Sequence, residues 1–181
     1  METNLCVAGF GGQGVMTLGK FLADATCNST DKNVTFFPSY GAEQRGGTAN
    51  CYVVISDEAI GAPLGDVMDD LIVMNGASLQ KFLGKLKSGG TLFINSSIVA
   101  EQIERDDVTV VRAPVTELAL EMGNAKVLNI IMLGVYIGYT EVIAPGIVWR
   151  TIEHKLAKKA GLLPLNRQAF EKGLEIGRGQ K

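Results

Sequence analysis

Six short apolar runs punctuate this chain, and the stretches between most of them carry apolar residues at helical spacing. Leu5 to Ala8 is the first run, and Val15, Leu18, Phe21 and Leu22 then fall on one face of a helix. VTFF from Val34 and TANCYVVIS from Thr48 are rich in β-branched and aromatic residues and predict two strands. LIVMN from Leu71 is continuously apolar, as a strand buried on both faces would be. ASLQKFLGKLKSGG predicts a helix closed by Gly89 and Gly90, followed by a strand TLFIN from Thr91. VTVVRA from Val108 predicts the last strand.

The rest of the chain reads as helical. Pro114 and Thr116 start one helix that Gly123 stops, residues 125–139 form a second, PGIVWRTIEHKLAKKA from Pro145 a third, and a short helix follows Pro164. Apolar strands alternating with helices predict an α/β protein: a doubly wound, mainly parallel, Rossmann-like sheet in a single domain over residues 1–181. The helix over 125–139 is apolar almost all round apart from Lys126 and Asn129, so something must cover every side of it. Mean hydropathy of +0.18 leaves room for part of that cover to come from another chain.

Charge and cysteine content remove several function classes. A net charge of −2 offers no broad attraction for nucleic acid or anionic lipid. The longest apolar segment, from Val127, is interrupted by Asn129 and two glycines and is too short to span a bilayer, and no signal peptide opens the chain. Cys6, Cys27 and Cys51 lie outside any CxxC spacing, which signals neither zinc nor an iron-sulfur cluster and suits a reducing cytoplasm.

Two glycine-rich segments carry the candidate chemistry. GFGGQG places Gly9, Gly11 and Gly14 in a GxGxxG pattern directly after a strand and before a helix, with Gly12 and Gln13 extending a nest of backbone N–H groups suited to phosphate. A dinucleotide enzyme would also need an acid at the tip of the second strand to hold the ribose. VTFF ends instead in Pro38 and Ser39, which argues against a plain NAD enzyme. The second segment, FFPSYGAEQRGGTANCYV, sets Ser39, Tyr40, Gly41, Glu43, Gln44, Arg45, Gly46 and Gly47 between two strands, in a stretch too polar for a core and longer than a tight turn requires.

Together, GFGGQGVMTLGKFLADA and FFPSYGAEQRGGTANCYVVIS resemble the gamma subunit of the 2-oxoacid:ferredoxin oxidoreductases, found also as a fused domain in pyruvate:ferredoxin oxidoreductase. The resemblance covers residues 5 to about 145 and extends to LIVMNGASLQKF, LFINSSIV and RAPVTELALEMGNAKVLNIIMLGVYIG. It implies a chain that completes a larger enzyme and contributes to coenzyme A binding. Thiamine diphosphate, magnesium and iron-sulfur clusters would sit on partner alpha and beta chains, with a delta chain a further candidate partner and ferredoxin the acceptor. It also implies that the segment matching SYGAEQRGG meets the thiamine-bearing chains, Glu43, Gln44 and Arg45 reaching across to a partner or an anionic substrate. Two other readings stay open: a free-standing nucleotide-dependent oxidoreductase, and an assembly module without a ligand of its own.

Other residues carry weaker signals. Asn75 and Asn95 end apolar strands, where ligands bind in open α/β sheets, though such residues more often cap helices. Asp66, Asp69 and Asp70 read as an acidic loop ahead of a buried strand, and His154 as part of a solvated helix face.

Overall fold

A computed structural model describes residues 1–40, 47–62 and 67–181. Six strands, β1 (Glu2–Phe10), β2 (Asn33–Tyr40), β3 (Thr48–Ser56), β4 (Met68–Val73), β5 (Leu86–Asn95) and β6 (Thr109–Ala113), form one sheet in the order β2-β3-β1-β4-β5-β6. β1, β4, β5 and β6 are mutually parallel, and β3 is antiparallel to both of its neighbours. The expected α/β, mainly parallel sheet is thus what forms, with one strand reversed. Chain length explains the reversal: only residues 41–47 join β2 to β3, whereas a parallel crossover needs about a dozen residues or more.

Strand alternation sends Leu5, Val7, Cys51 and Phe93 to one face and Cys6, Ala8, Leu71 and Leu92 to the other. Helices α1 (Val15–Ser29), α3 (Val115–Glu121), α4 (Leu128–Thr140), α5 (Pro145–Leu156) and α6 (Leu163–Arg178) cover the first face. The second is covered by α2 (Gly76–Phe82) together with Val99 and Ile103 from the connection between β5 and β6. The sheet is therefore wound on both sides, but unequally.

Three elements differ from expectation. α2 ends at Phe82, passes through one tight turn at Leu83–Lys85 and gives way to strand at Leu86, so Gly89 and Gly90 do not close a helix. They lie in β5, where the register with β4 shifts: Gly89 has φ 76°, and a side chain on Gly90 would strike the Asp69 carbonyl. The C-terminal helix is not short, since α6 runs for 16 residues. Asp69 and Asp70 belong to β4 itself rather than to a loop, and Asp66 lies outside the described residues.

α6 supplies the cover that α4 requires. Asn129 through Gly138 are all buried, and α6 approaches so closely that the two backbones touch. A Cβ on Gly134 or Gly138 would collide with the carbonyls of Phe170 or Leu174, and one on Gly173 or Gly177 with those of Ile131 or Val135. No described helix is long and apolar enough to cross a membrane.

Candidate functional site

The carboxyl ends of the parallel strands gather the residues that the sequence singled out. Gly9 ends the buried part of β1, and a Cβ there would lie 2.7 Å from Gln13 Oε1 and 3.0 Å from Met74 Cβ. Gly12 (φ 98°) and Gly14 (φ 73°) take left-handed conformations that suit glycine, and Gly14 leads into α1. A Cβ on Gly14 would run into Asn129 at the start of α4, whose Nδ2 donates to the Gly14 carbonyl at 3.3 Å.

Gln13 does not extend a ligand nest. Its Oε1 accepts from the Phe10 amide at 2.7 Å and from Asn75 Nδ2 at 3.2 Å, and its Nε2 donates to the Met74 carbonyl at 3.0 Å. The side chain thereby fills the crevice between β1 and β4, where the connections leave for opposite faces of the sheet. Asn75 uses its Oδ1 to cap α2 at the Ser78 amide, 2.8 Å away. Asn95, fully buried at the end of β5, donates to Thr116 Oγ1 at 2.9 Å and to the Met74 carbonyl at 3.4 Å. Both asparagines are braces of the sheet edge.

The two glycine segments meet. The Gly11 amide donates to the Gly47 carbonyl at 3.1 Å, and the Gln13 amide to the Phe10 carbonyl at 3.2 Å, so neither is available to a ligand. The amides of Gly12, Gly14 and the first turn of α1 bond to no described residue, and α1 begins with neither a side-chain cap nor an acid in its first turn. This is a bare, positively polarised helix end. Gly12 is exposed, with nothing within 4 Å of where a Cβ would stand. Of the second segment, Ser39 and Tyr40 finish β2, while Gly41, Glu43, Gln44, Arg45 and Gly46 lie outside the described residues.

A groove of about 550 Å³ opens beside Gly12–Gly14, walled by the start of α4 and by the turn 157–162 that joins α5 to α6. Lys126 and Lys159 line it, and every residue from Ala157 to Leu162 is exposed. Backbone amides, a helix N-terminus and two ammonium groups around one cleft can hold a phosphate or pyrophosphate. By contrast, burial raises the Cys51 thiol to about 12 and pushes Cys6 higher still, so both remain protonated, packed side chains.

The pyruvate ferredoxin/flavodoxin oxidoreductase family matches residues 4–176 of the chain. The chain belongs to this family. Within it, the 2-oxoglutarate synthase subunit KorC of Methanothermobacter marburgensis is 34% identical over the full length of both chains. The ketoisovalerate oxidoreductase subunit VorA of Methanothermobacter thermautotrophicus is 35% identical over 98% of this chain. The chain spans only 37% of that VorA and 28% of its Methanothermobacter marburgensis counterpart, to which it is 40% identical over 134 residues. Among solved structures, the gamma subunit of a keto/oxoacid ferredoxin oxidoreductase from Geobacter sulfurreducens superposes over the whole chain and 99% of its own, with a TM-score of 0.87 and 25% identity. A 2-oxoglutarate:ferredoxin oxidoreductase from Magnetococcus marinus, with 2-oxoglutarate, coenzyme A and succinyl-CoA bound, matches at TM-score 0.93 and 26% identity over 99% of this chain and 32% of its own.

In this member of the pyruvate ferredoxin/flavodoxin oxidoreductase family, sequence reading found the glycine loop but missed Asn129, Lys126 and Lys159. Asn129 stood out as one of two polar residues in an apolar helix, which was a usable signal. Lys126 was the other, and Lys159 gave none, because only the fold brings position 159 to the same cleft as Gly12.

Proposed function

We propose that the chain, as a single gamma-type domain, is one subunit of a 2-oxoacid:ferredoxin oxidoreductase, and that it holds the phosphates of coenzyme A in the groove beside Gly12–Gly14. The observation that carries this reading is the convergence of amides without a partner among the described residues, the uncapped start of α1, Lys126 and Lys159 on one cleft in a chain whose overall charge is negative. Coenzyme A, when bound, supplies the thiol that accepts an acyl group. This chain's own residues would bind and orient its charged end.

Thiamine diphosphate, magnesium and iron-sulfur clusters belong in this reading to alpha and beta partners, a delta chain being a further candidate, with ferredoxin reached through the assembled complex in the cytoplasm. Buried, protonated Cys6 and Cys51 support a division of labour in which cluster ligands come from elsewhere. The segment around Glu43–Arg45 is assigned in this reading to the contact with those chains. A free-standing dinucleotide enzyme loses support on two counts: Gln13 fills the crevice between β1 and β4, and β3, the other neighbour of β1, runs antiparallel. No parallel strand tip is therefore presented to a ribose on that side.

The test is anaerobic purification of the complex with its partners, followed by coenzyme A binding and turnover on a panel of 2-oxoacids. Lys126→Ala is expected to weaken coenzyme A binding about tenfold while the complex still assembles. Unchanged affinity in an intact complex removes the groove from the binding site, and turnover by the isolated chain overturns the subunit reading.

A further inference from the structure

The sheet ends in two edge strands, β2 and β6, and an edge offers its backbone groups to any chain that can pair with it. β2 contains Pro38, which has no N–H to contribute. β6 has no such interruption: it reads TVVRA, rich in β-branched residues and with Arg112 its single charge. The Ala113 carbonyl accepts from the Ser96 amide just past β5, and the Asp107 carbonyl accepts from the Gly89 amide within it. The odd-numbered residues of β6 therefore turn their N–H and C=O groups toward β5, and alternation turns those of Val110 and Arg112 outward. These two residues are not alike in what they meet. The outward groups of Val110 bond to no described residue. Those of Arg112 are both occupied, the amide donating to Gln180 Oε1 at 3.0 Å and the carbonyl accepting from Gln180 Nε2 at 2.8 Å. A carboxamide bonded in this way copies the paired contact that a residue of a neighbouring strand would make.

We propose that Gln180 guards the β6 edge, and that the occupant it excludes is the β6 of a second copy of this chain. Register identifies the occupant. Two copies of β6 laid antiparallel about a two-fold axis beside Val111 set Val110 of each opposite Arg112 of the other. Every hydrogen bond of that short ladder runs between an outward group of Val110 and one of Arg112, and Gln180 holds both of the Arg112 groups. The strand is otherwise suited to itself. Its side chains are mostly small and β-branched, and the Arg112 guanidinium is taken up by the Glu101 carbonyl at 2.9 Å. One exposed side chain at the end of α6 thus keeps the sheet from continuing into a second molecule.

Sedimentation velocity of the full chain over a concentration series tests this. Gln180→Ala is expected to self-associate at least about tenfold more tightly than wild type. Adding Val110→Pro should return the variant to the wild-type value, because proline there removes the outward donor and leaves the bonds to β5 in place. Amide hydrogen exchange reads the same contact directly. The Val110 amide should exchange freely in wild type while the Arg112 amide is protected, and in Gln180→Ala both should become protected as concentration rises. Self-association of Gln180→Ala no tighter than wild type overturns the proposal. So does association that Val110→Pro fails to reverse, or that leaves the Val110 amide unprotected.

Discussion

The two ends of the sheet are built from opposite materials. At the carboxyl end, Gln13, Asn75, Asn95 and Asn129 tie the loops together through neutral amides, and the charged residues lining the groove beside Gly12–Gly14 are lysines. At the amino end, a cavity of about 610 Å³ is lined by Asp69, Asp70, Glu2 and Glu141 as well as by Lys32 and Lys87. There Tyr136, fully buried, donates to Asp70 Oδ2 at 3.0 Å, and Asp69 pairs with Lys87 while accepting the Asn4 amide at 2.6 Å. Two neighbouring carboxyls consequently move in opposite directions. Burial raises Asp70 to about 6, against the weaker help of Tyr136. Burial also pushes Asp69 upward, but Lys87 and Asn4 outweigh it and hold Asp69 below the ordinary carboxylate range. An anion would meet amide and ammonium donors at the carboxyl end and carboxylates mixed with two lysines at the amino end, so the proposed phosphate site falls at the mouth better suited to it.

The largest expected effect comes from breaking both ends at once. α4 reaches from Asn129 at the carboxyl end to Tyr136 and Thr140 at the amino end. Gly173→Val would drive a side chain into the Ile131 carbonyl and is expected to cost about 3 kcal/mol or more in urea unfolding. Both the phosphate groove and the Asp70 titration should be disturbed in the same variant. A variant that keeps wild-type stability would mean that the α4–α6 seam can open without cost.

A second change touches the amino end alone. The folded-state pKa of Asp70 lies above its unfolded value of 3.8, so its contribution to stability is full below about pH 4 and is lost as pH rises through about 6. Asp70→Asn keeps an acceptor for Tyr136 and removes that loss. The variant should be about 3 kcal/mol more stable than wild type at pH 8 and no more stable at pH 4, measured by denaturant unfolding at each pH. Coenzyme A affinity should not move. A uniform stability shift at both pH values would show that Asp70 does not titrate as described.

The smallest effect is confined to the carboxyl end. Gln13→Ala removes partners from the Phe10 amide and the Met74 carbonyl and should cost about 1–2 kcal/mol. Coenzyme A affinity of the complex should fall as well, because the loop that presents Gly12 loses its anchor to β4. Unaltered affinity alongside reduced stability would make Gln13 a purely structural brace.

Much of this contrast was out of reach of sequence reading, for a definite reason. The strand-helix alternation and the glycine loop are local patterns, and both formed where expected. The reversal of β3 was also legible, since a seven-residue connection between Tyr40 and Thr48 is of hairpin length. Gln13, however, takes its role from Met74 and Asn75, about sixty positions away, and Asp70 from Tyr136. The β5 glycines misled because a pair of glycines after a helical pattern reads as a stop, whereas here they serve a strand pressed against the Asp69 backbone.

The glycine seam between α4 and α6 makes the C-terminal helix a distant splint for the glycine loop. α6 is fastened at its far end too, where Gln180 exchanges hydrogen bonds with the Arg112 backbone at 3.0 and 2.8 Å. The sixteen-residue α6 reaches the groove beside Gly12–Gly14 through Asn166, and it also fixes the position of α4, which places Asn129 on Gly14. The tail of this chain is thus mechanically wired to its beginning, and a tag or partner that prised α6 loose would be felt at the opposite terminus of the sequence.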